Sequence, residues 1–139
     1  MKKRLFIFLV IMIFVVGGLT FYIYINNATV KTVNTLIENV DKGNIKGIGL
    51  SNEQLNSIKK MITFSNENNL SEPKININKI SNDGNKEELL VQFEIFQYRN
   101  DNQIENIYVG SLLFTLVKKS ILKWEVLDVK TMNVMEMQL

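Results

Sequence analysis

Cysteine and histidine are absent from this 139-residue chain, and proline and tryptophan occur once each. Without cysteine the chain forms no disulfide, offers no thiol nucleophile and carries no cysteine-linked lipid. Without histidine it has no serine–histidine–aspartate triad and no histidine general base, and both absences together exclude a cysteine or histidine metal site. We therefore predict a protein that is not an enzyme, with no cofactor, no metal site and no catalytic residue.

A long apolar run stands at the amino terminus. Residues 5–25 contain no charge, and 15 of these 21 residues are Leu, Ile, Phe or Val. A helix of this length covers roughly 32 Å, against roughly 30 Å of hydrocarbon in a bilayer. Because three positive residues precede the run and none follows it directly, the positive-inside rule predicts a cytoplasmic tail at residues 1–4, a transmembrane helix at residues 5–25 and an extracytoplasmic domain at residues 28–139.

Two interpretations of the apolar run stay open, a retained single-pass anchor and a cleaved signal peptide. A signal peptide has a shorter apolar region of about 7–15 residues, followed by a small-residue cleavage site. Here the candidate site Gly18-Leu19-Thr20 lies inside the run, and Tyr22 and Tyr24 fall where the outer aromatic belt of a membrane helix is expected. The pattern favours a retained anchor. The abundance of Asn, Ile and Lys suggests an AT-rich bacterial genome, so the predicted location is a bacterial cytoplasmic membrane.

The rest of the chain has the size of one domain and almost no net charge. Residues 28–139 carry 13 basic and 14 acidic side chains, since three of the 16 basic residues lie in the tail. A nearly neutral domain lacks the positive surface that attracts phosphate backbones, so we predict no nucleic-acid partner.

Two helices are predicted ahead of a sheet. Apolar residues recur at three- and four-residue steps over residues 29–41, which indicates an amphipathic helix, and Gly43 follows where a helix often closes with a left-handed residue. Ser51 and Gln54 have the spacing of a capping box, which predicts a second helix over residues 52–63.

After a polar stretch at residues 65–69, predicted to be a loop, the apolar period changes to two, which indicates strands. Four antiparallel strands are predicted, at residues 75–80, 89–98, 107–117 and 121–131. The alternation breaks at Ile80, after Ile95 and after Val126, as it does at β-bulges. The predicted fold class is α+β, a transmembrane helix followed by one or two helices packed on a bent, cone-like four-stranded antiparallel sheet.

Several polar and flexible side chains of the strands have two interpretations. Acidic residues at four strand positions are expected to be solvated, the alternative being a carboxylate pair for acid–base chemistry. They are Glu87, Glu88, Glu94 and Glu105. Three methionines near the carboxyl terminus, Met132, Met135 and Met137, are predicted to form a flexible apolar tail that packs under the sheet or offers an adaptable contact surface.

Two stretches of the domain resemble a known superfamily. The stretch "VKTVNTLIENVDKGNIKGI" resembles the first helix of nuclear-transport-factor-two-like domains, and "LVKKSILKWEVLDVK" is similar to their closing hairpin. The resemblance implies helices packed in a curved, cone-shaped sheet. Enzymes of that superfamily usually place an aspartate and a histidine in the cone, so a chain without histidine is not expected to share their activity. A short anchor before such a domain is also similar to conjugation-channel assembly factors and to the amino-terminal extension of low-affinity penicillin-binding proteins, which implies action by protein contact.

Two functions are consistent with this pattern. The first is a membrane-anchored interaction or assembly domain of a bacterial cell envelope, which contacts other envelope proteins or a second copy through the exposed sheet face or a free sheet edge. The second is a small-ligand binding module that uses the cone between helix and sheet. Its candidate lining residues are Trp124, Tyr98 and Tyr108, whose alternative roles are a core tryptophan and two rim tyrosines.

Overall fold

The computed structural model of the chain describes residues 2–99, 101 and 103–138, and for residues 2–8 it describes the backbone alone. The elements are α1 (Lys2–Asn26), α2 (Ala28–Asp41), α3 (Asn52–Glu67), β1 (Lys74–Asn82), β2 (Lys86–Tyr98), β3 (Ile104–Lys118) and β4 (Trp124–Gln138). The strands form one open antiparallel sheet in the order β1-β2-β3-β4, so β1 and β4 are its edges. The predicted α+β class is confirmed.

The apolar helix α1 stands outside the core. Its segment Leu9–Asn26 is long and apolar enough to cross a membrane, and none of that segment is buried inside the protein. A single residue, Asn27, separates α1 from α2, and its amide donates to the carbonyl oxygen of Ile23 while its own carbonyl accepts from Lys31. Helical hydrogen bonding therefore passes almost without a break from α1 into the domain.

Local signals set two of the helix ends. Gly43 has φ +73° after α2, as the left-handed closing position requires. Ser51 and Gln54 form the predicted capping box at the start of α3. The prediction that α3 ends at residue 63 is wrong, since it continues to Glu67 and buries Ser65. The sequence of that last turn is mostly polar and does not predict a helix. The turn is helical because packing against the sheet stabilises it.

The core lies between the two domain helices and one face of the sheet. Alternate residues of β2 point into it and have no solvent exposure, namely Leu89, Val91, Phe93 and Ile95. Their partners on β3 include Phe114, opposite Leu89, and Leu112, opposite Val91. Val33 of α2 and Ile58 of α3 close the core from the helix side, also without solvent exposure. The space between helices and sheet is thus filled with apolar side chains.

Three breaks in the strand register fall at or close to the predicted positions, whereas two more in the β3–β4 ladder, on either side of Ser111, have no counterpart in the sequence pattern. Ile80 is left out of the β1–β2 ladder and Leu127 out of the β3–β4 ladder, which confirms both predicted breaks. In β2 the shift lies between Gln97 and Tyr98, two residues beyond the predicted slip. Both Ile80 and Leu127 are largely exposed, because a bulged residue turns its side chain away from the packed face.

The carboxyl-terminal methionines belong to the sheet, so the prediction of a flexible tail is wrong. β3 begins at Ile104 and therefore offers ladder partners to β4 as far as Gln138, with Tyr108 opposite Met137. Met135 packs against the core, whereas Met132 and Met137 are half exposed. β4 also starts later than predicted, at Trp124, because residues 119–123 form a closed turn.

Candidate functional site at the end of the sheet nearest the apolar helix

Two turns meet the carboxyl end of α1 at one end of the sheet. We call this the proximal end and define it by the β1–β2 turn at residues 83–85, the β3–β4 turn at residues 119–123 and the junction around Asn27. The Lys79 ammonium, from β1, donates to the carbonyl oxygen of Asn26, and Leu122 shares a groove with Tyr24 of α1. The distal end is the opposite one, with the β2–β3 connection, of which Arg99, Asp101 and Gln103 are described.

Glu87 is a buried carboxylate at the proximal end. It precedes Leu89 by two residues on β2, so the strand alternation directs its side chain to the core face, where only 2% of it is exposed. Its Oε1 accepts from the Thr29 hydroxyl at 3.1 Å and lies 2.8 Å from the Lys79 Nζ. Its Oε2 accepts from the Asn82 side-chain amide at 3.4 Å. The predicted solvated position for Glu87 is therefore wrong.

Lys79 connects this carboxylate to the end of the apolar helix. It lies opposite Leu89 on the core face of β1, and its ammonium contacts both Glu87 and the Asn26 carbonyl oxygen. A positive charge at the carboxyl end of a helix interacts favourably with the helix dipole. Lys79 thus joins the end of α1 to the β1–β2 hairpin, and Glu87 adds α2 through Thr29.

The paired and hydrogen-bonded groups of this cluster stabilise the structure. A buried carboxylate is tolerated when it is paired and its lone pairs are hydrogen-bonded, and Glu87 meets both conditions. A general base must reach a proton of a bound molecule, which a carboxylate at 2% exposure with both oxygens occupied does not do. Within the described part of the chain, no group of three or more acidic side chains could hold a metal ion.

Trp124 lines an open groove at the same, proximal end of the sheet. The groove has a volume of about 370 Å³ and lies between α2, the loop at residues 47–49 and the start of β4. Trp124 is half-buried and packs against the edge of the core, with the Lys118 ammonium 5.8 Å from the centre of its ring. Much of the remaining lining is polar, including Thr32 and Glu125. Trp124 therefore combines the two roles that were predicted as alternatives.

The two candidate tyrosines lie towards the distal end. Tyr108 is ten residues along β3 from Lys118, the partner of Trp124, which corresponds to roughly 33 Å along a strand. The ring of Tyr108 packs against Phe64 of α3 at 5.6 Å between ring centres. Tyr98 is 57% exposed at the end of β2. The predicted set of three lining residues is therefore not assembled at one place, because the strands are long and the filled core separates their ends.

The residues that define the proximal end were partly visible in the sequence. Glu87 is in phase with Leu89 and Val91, and Lys79 is in phase with Ile75 and Ile77, so strict alternation predicts two inward-facing charges of opposite sign. Their meeting depends on the register of the β1–β2 hairpin, which is displaced by the Ile80 bulge. The sequence pattern alone does not set that register.

No protein-family model, curated protein or solved structure matches this chain. The resemblance to nuclear-transport-factor-two-like domains and to envelope assembly factors stays a prediction.

Proposed function

We propose that this chain is a single-pass, extracytoplasmic interaction or assembly domain of a bacterial cell envelope that acts by contact and performs no chemistry. The amino terminus stays in the cytoplasm, α1 spans the cytoplasmic membrane, and residues 28–139 lie outside. Confinement to the membrane surface raises the effective concentration of the domain towards other membrane proteins.

The observation that carries this proposal is the edge strand β4. It has no strand neighbour on its outer side among the described residues, and it runs over 15 residues. Four apolar side chains along it are at least half exposed, namely Leu127, Met132, Val134 and Met137. Leu127, Met132 and Val134 lie at shifts of the β3–β4 register, which disfavours regular pairing with an added strand, so we place a side-chain contact with the partner at this apolar edge.

Photocrosslinking in intact cells tests the contact. A photoreactive phenylalanine analogue at Val134, which is 64% exposed on β4, is expected to give one discrete adduct, either with an envelope protein or with a second copy of the chain. The matched control is the same analogue at Asn78, an exposed residue of the opposite edge strand β1. Absence of an adduct at Val134, or an equal adduct at Asn78, would contradict the assignment of the contact to β4.

The absence of native cysteine makes the proposed topology directly testable. A single cysteine introduced at Asn44, an exposed residue in the loop after α2, is expected to react with a membrane-impermeant maleimide on intact protoplasts. A cysteine at Lys2 is expected to react only after permeabilisation. Reaction of the Lys2→Cys variant on intact cells would show that the orientation is opposite to the one proposed. Release of the domain into the culture fluid would show that the apolar run is a cleaved signal peptide and not an anchor.

The alternative function, a small-ligand binding module, now depends on the Trp124 groove. Because Trp124 is the chain's only tryptophan, a small molecule that enters the groove should change the intrinsic fluorescence. Saturable quenching by a small-molecule library member, abolished in a Trp124-adjacent Thr32→Lys variant, would favour the alternative over the interaction domain.

A further inference from the structure

The β3–β4 turn presents two apolar side chains at its tip. The Lys123 amide donates to the carbonyl oxygen of Ser120 at 3.3 Å, and the amides of Lys119 and Ser120 donate back to the Lys123 carbonyl. Ile121 and Leu122 therefore occupy the two central positions of a closed turn. They are 65% and 47% exposed, respectively.

Apolar residues at these positions are not explained by the turn itself. Central turn positions are dominated by Gly, Asn, Asp, Pro and Ser, each for a conformational reason that isoleucine and leucine do not share. The other two turns of the sheet follow this rule, with Asp83 and Gly84 in one and Asp101 in the other. The exposed pair at residues 121 and 122 indicates contact with an apolar medium outside the domain.

The position of the turn identifies that medium. Leu122 shares an open groove of about 250 Å³ with Ala28 and with Tyr24, which belongs to the last turn of the apolar run. Tyrosine at the end of a membrane helix lies at the level of the lipid headgroups. Since Leu122 lies beside Tyr24, the tip of the turn lies at the same level. This step rests on the proposed function to the extent that α1 must span a bilayer.

The charges around the tip fit an anionic surface. Lys118, Lys119 and Lys123 flank the apolar pair and are exposed, with Glu125 the one acidic residue in residues 118–125. Lys119 lies 3.4 Å from Glu125 at the surface, where such a pair is held weakly. Lysine side chains beside a membrane extend their ammonium groups towards headgroup phosphates while their stems cover apolar surface.

From this juxtaposition we propose that the β3–β4 turn is a second membrane contact. Ile121 and Leu122 enter the boundary between headgroups and acyl chains, and the flanking lysines bind anionic phospholipid headgroups. Together with α1, this contact gives the domain two points of attachment and so fixes its orientation on the membrane surface. The proximal end faces the lipid, and the edge strand β4 rises away from it.

The test uses the full chain in vesicles of phosphatidylglycerol and phosphatidylcholine. A single cysteine at Ile121 carries an environment-sensitive fluorophore, and a cysteine at Gln103, an exposed residue of the distal turn, is the control. The label at residue 121 is expected to be blue-shifted and quenched by lipids with bromine near the headgroup, at about twice or more the level at residue 103. Equal aqueous emission at both sites overturns the proposal.

Failure of the membrane anchor is distinguishable from failure of the turn contact. If α1 does not span a bilayer, the chain does not float with vesicles and stays extractable by alkaline carbonate. If it floats, resists carbonate and still shows an aqueous label at residue 121, the turn contact alone is wrong.

A variant gives an independent readout from Trp124, which follows Leu122 by two residues. The double substitution Ile121→Ser and Leu122→Ser is expected to lower quenching of tryptophan emission by brominated lipid about twofold. The control Ile104→Ser removes a comparably exposed apolar residue at the distal end of the sheet and is expected to leave quenching unchanged. Unchanged quenching in the double variant, with native circular dichroism, would contradict the proposal. Vesicles of phosphatidylcholine alone should quench the tryptophan emission of the native chain less than vesicles that contain phosphatidylglycerol. Equal quenching in both would contradict the proposal that the lysines bind anionic headgroups.

Discussion

The proximal and distal ends of the same sheet are stabilised by different interactions. At the proximal end, where α1 joins the domain, a buried carboxylate, a lysine and a threonine connect three elements, namely Glu87, Lys79 and Thr29. At the distal end the last turns of α3 lie on the sheet through apolar contacts, with Phe64 on Tyr108 and Met61 over Gly110.

The difference follows from the helix that each end of the sheet contacts, α1 at the proximal end and α3 at the distal end. Apolar packing is non-directional and tolerates small rotations of one element over another. Charge-assisted hydrogen bonds fix both distance and direction. The apolar helix α1 stands outside the core, so its direction is set by the nearly unbroken helical hydrogen bonding through Asn27 and by the contact of Lys79 with the Asn26 carbonyl oxygen.

The largest effect is expected from removing one member of the Glu87–Lys79–Thr29 cluster. Lys79→Met leaves the buried Glu87 carboxylate without its positive partner, and we expect a loss of about 3 kcal/mol in the free energy of unfolding. Urea denaturation of the full chain in mild detergent measures it. The matched control is Lys86→Met, which breaks a more exposed pair with Glu88 and should cost under about 1 kcal/mol. Equal losses in the free energy of unfolding would contradict the prediction that the buried ion pair contributes more than the exposed one.

A second prediction addresses packing in the distal half of the sheet. A Cβ added at Gly110 would lie 2.7 Å from the Met61 sulfur and 3.2 Å from the Met135 backbone, so Gly110→Ala is expected to cost about 2 kcal/mol. At Gly49 an added Cβ meets only the Glu125 side chain, at 3.7 Å. Gly49→Ala should therefore be neutral or slightly stabilising in the same denaturation experiment. A neutral Gly110→Ala would show that α3 moves easily over the sheet.

A third prediction separates the two distal tyrosines. Tyr108→Ala removes a half-buried ring that packs on Phe64, and we expect a loss of about 1.5 kcal/mol. Tyr98→Ala removes an exposed ring and should change stability by less than about 0.5 kcal/mol. Thermal unfolding followed by circular dichroism measures both. The reverse order would mean that Tyr98 has a packing partner outside the described residues.

The smallest effect concerns the two polar turns. Backbone amides of Lys86 and Asn85 donate to the Asp83 carboxylate and hold its pKa below the ordinary value of about 3.9. A carboxyl group with a lowered folded-state pKa contributes stability above its unfolded pKa, and that contribution is lost as the pH falls through the folded value. The Tm difference between the native chain and Asp83→Ala should therefore be present at pH 6 and shrink below about pH 4.

The distal turn supplies the comparison for Asp83. Among the described residues, Asp101 accepts one backbone hydrogen bond, from Gln103 at 3.1 Å, whereas Asp83 accepts two. Asp101→Ala is therefore expected to lower the Tm less than Asp83→Ala at pH 6. A Tm difference for Asp83→Ala that grows towards acid pH would contradict a lowered pKa of Asp83 in the folded state.

Local patterns predicted the elements where neighbouring residues decide the structure. The capping box at Ser51, the left-handed Gly43 and the breaks at Ile80 and Leu127 all follow from side chains a few positions apart. The prediction failed where a distant partner decides. The last turn of α3 is largely polar yet helical, with Ser65 buried and Phe64 packed on Tyr108, and the carboxyl-terminal methionines join a strand because β3 extends far enough to pair with them.

The sequence by itself determined the apolar helix, the order of helices and strands, and the exclusion of cysteine and histidine chemistry, because length, period and composition are properties of the chain alone. Only the tertiary structure decided that Glu87 is buried beside Lys79, that Trp124 and Tyr108 lie at opposite ends of the sheet, and that Leu122 lies beside Tyr24. Each of these depends on strand register and on how the helices cross the sheet. Strand register and helix crossing are set by the summed packing of the whole core. No short stretch of residues contributes enough to that packing for its own sequence to predict them.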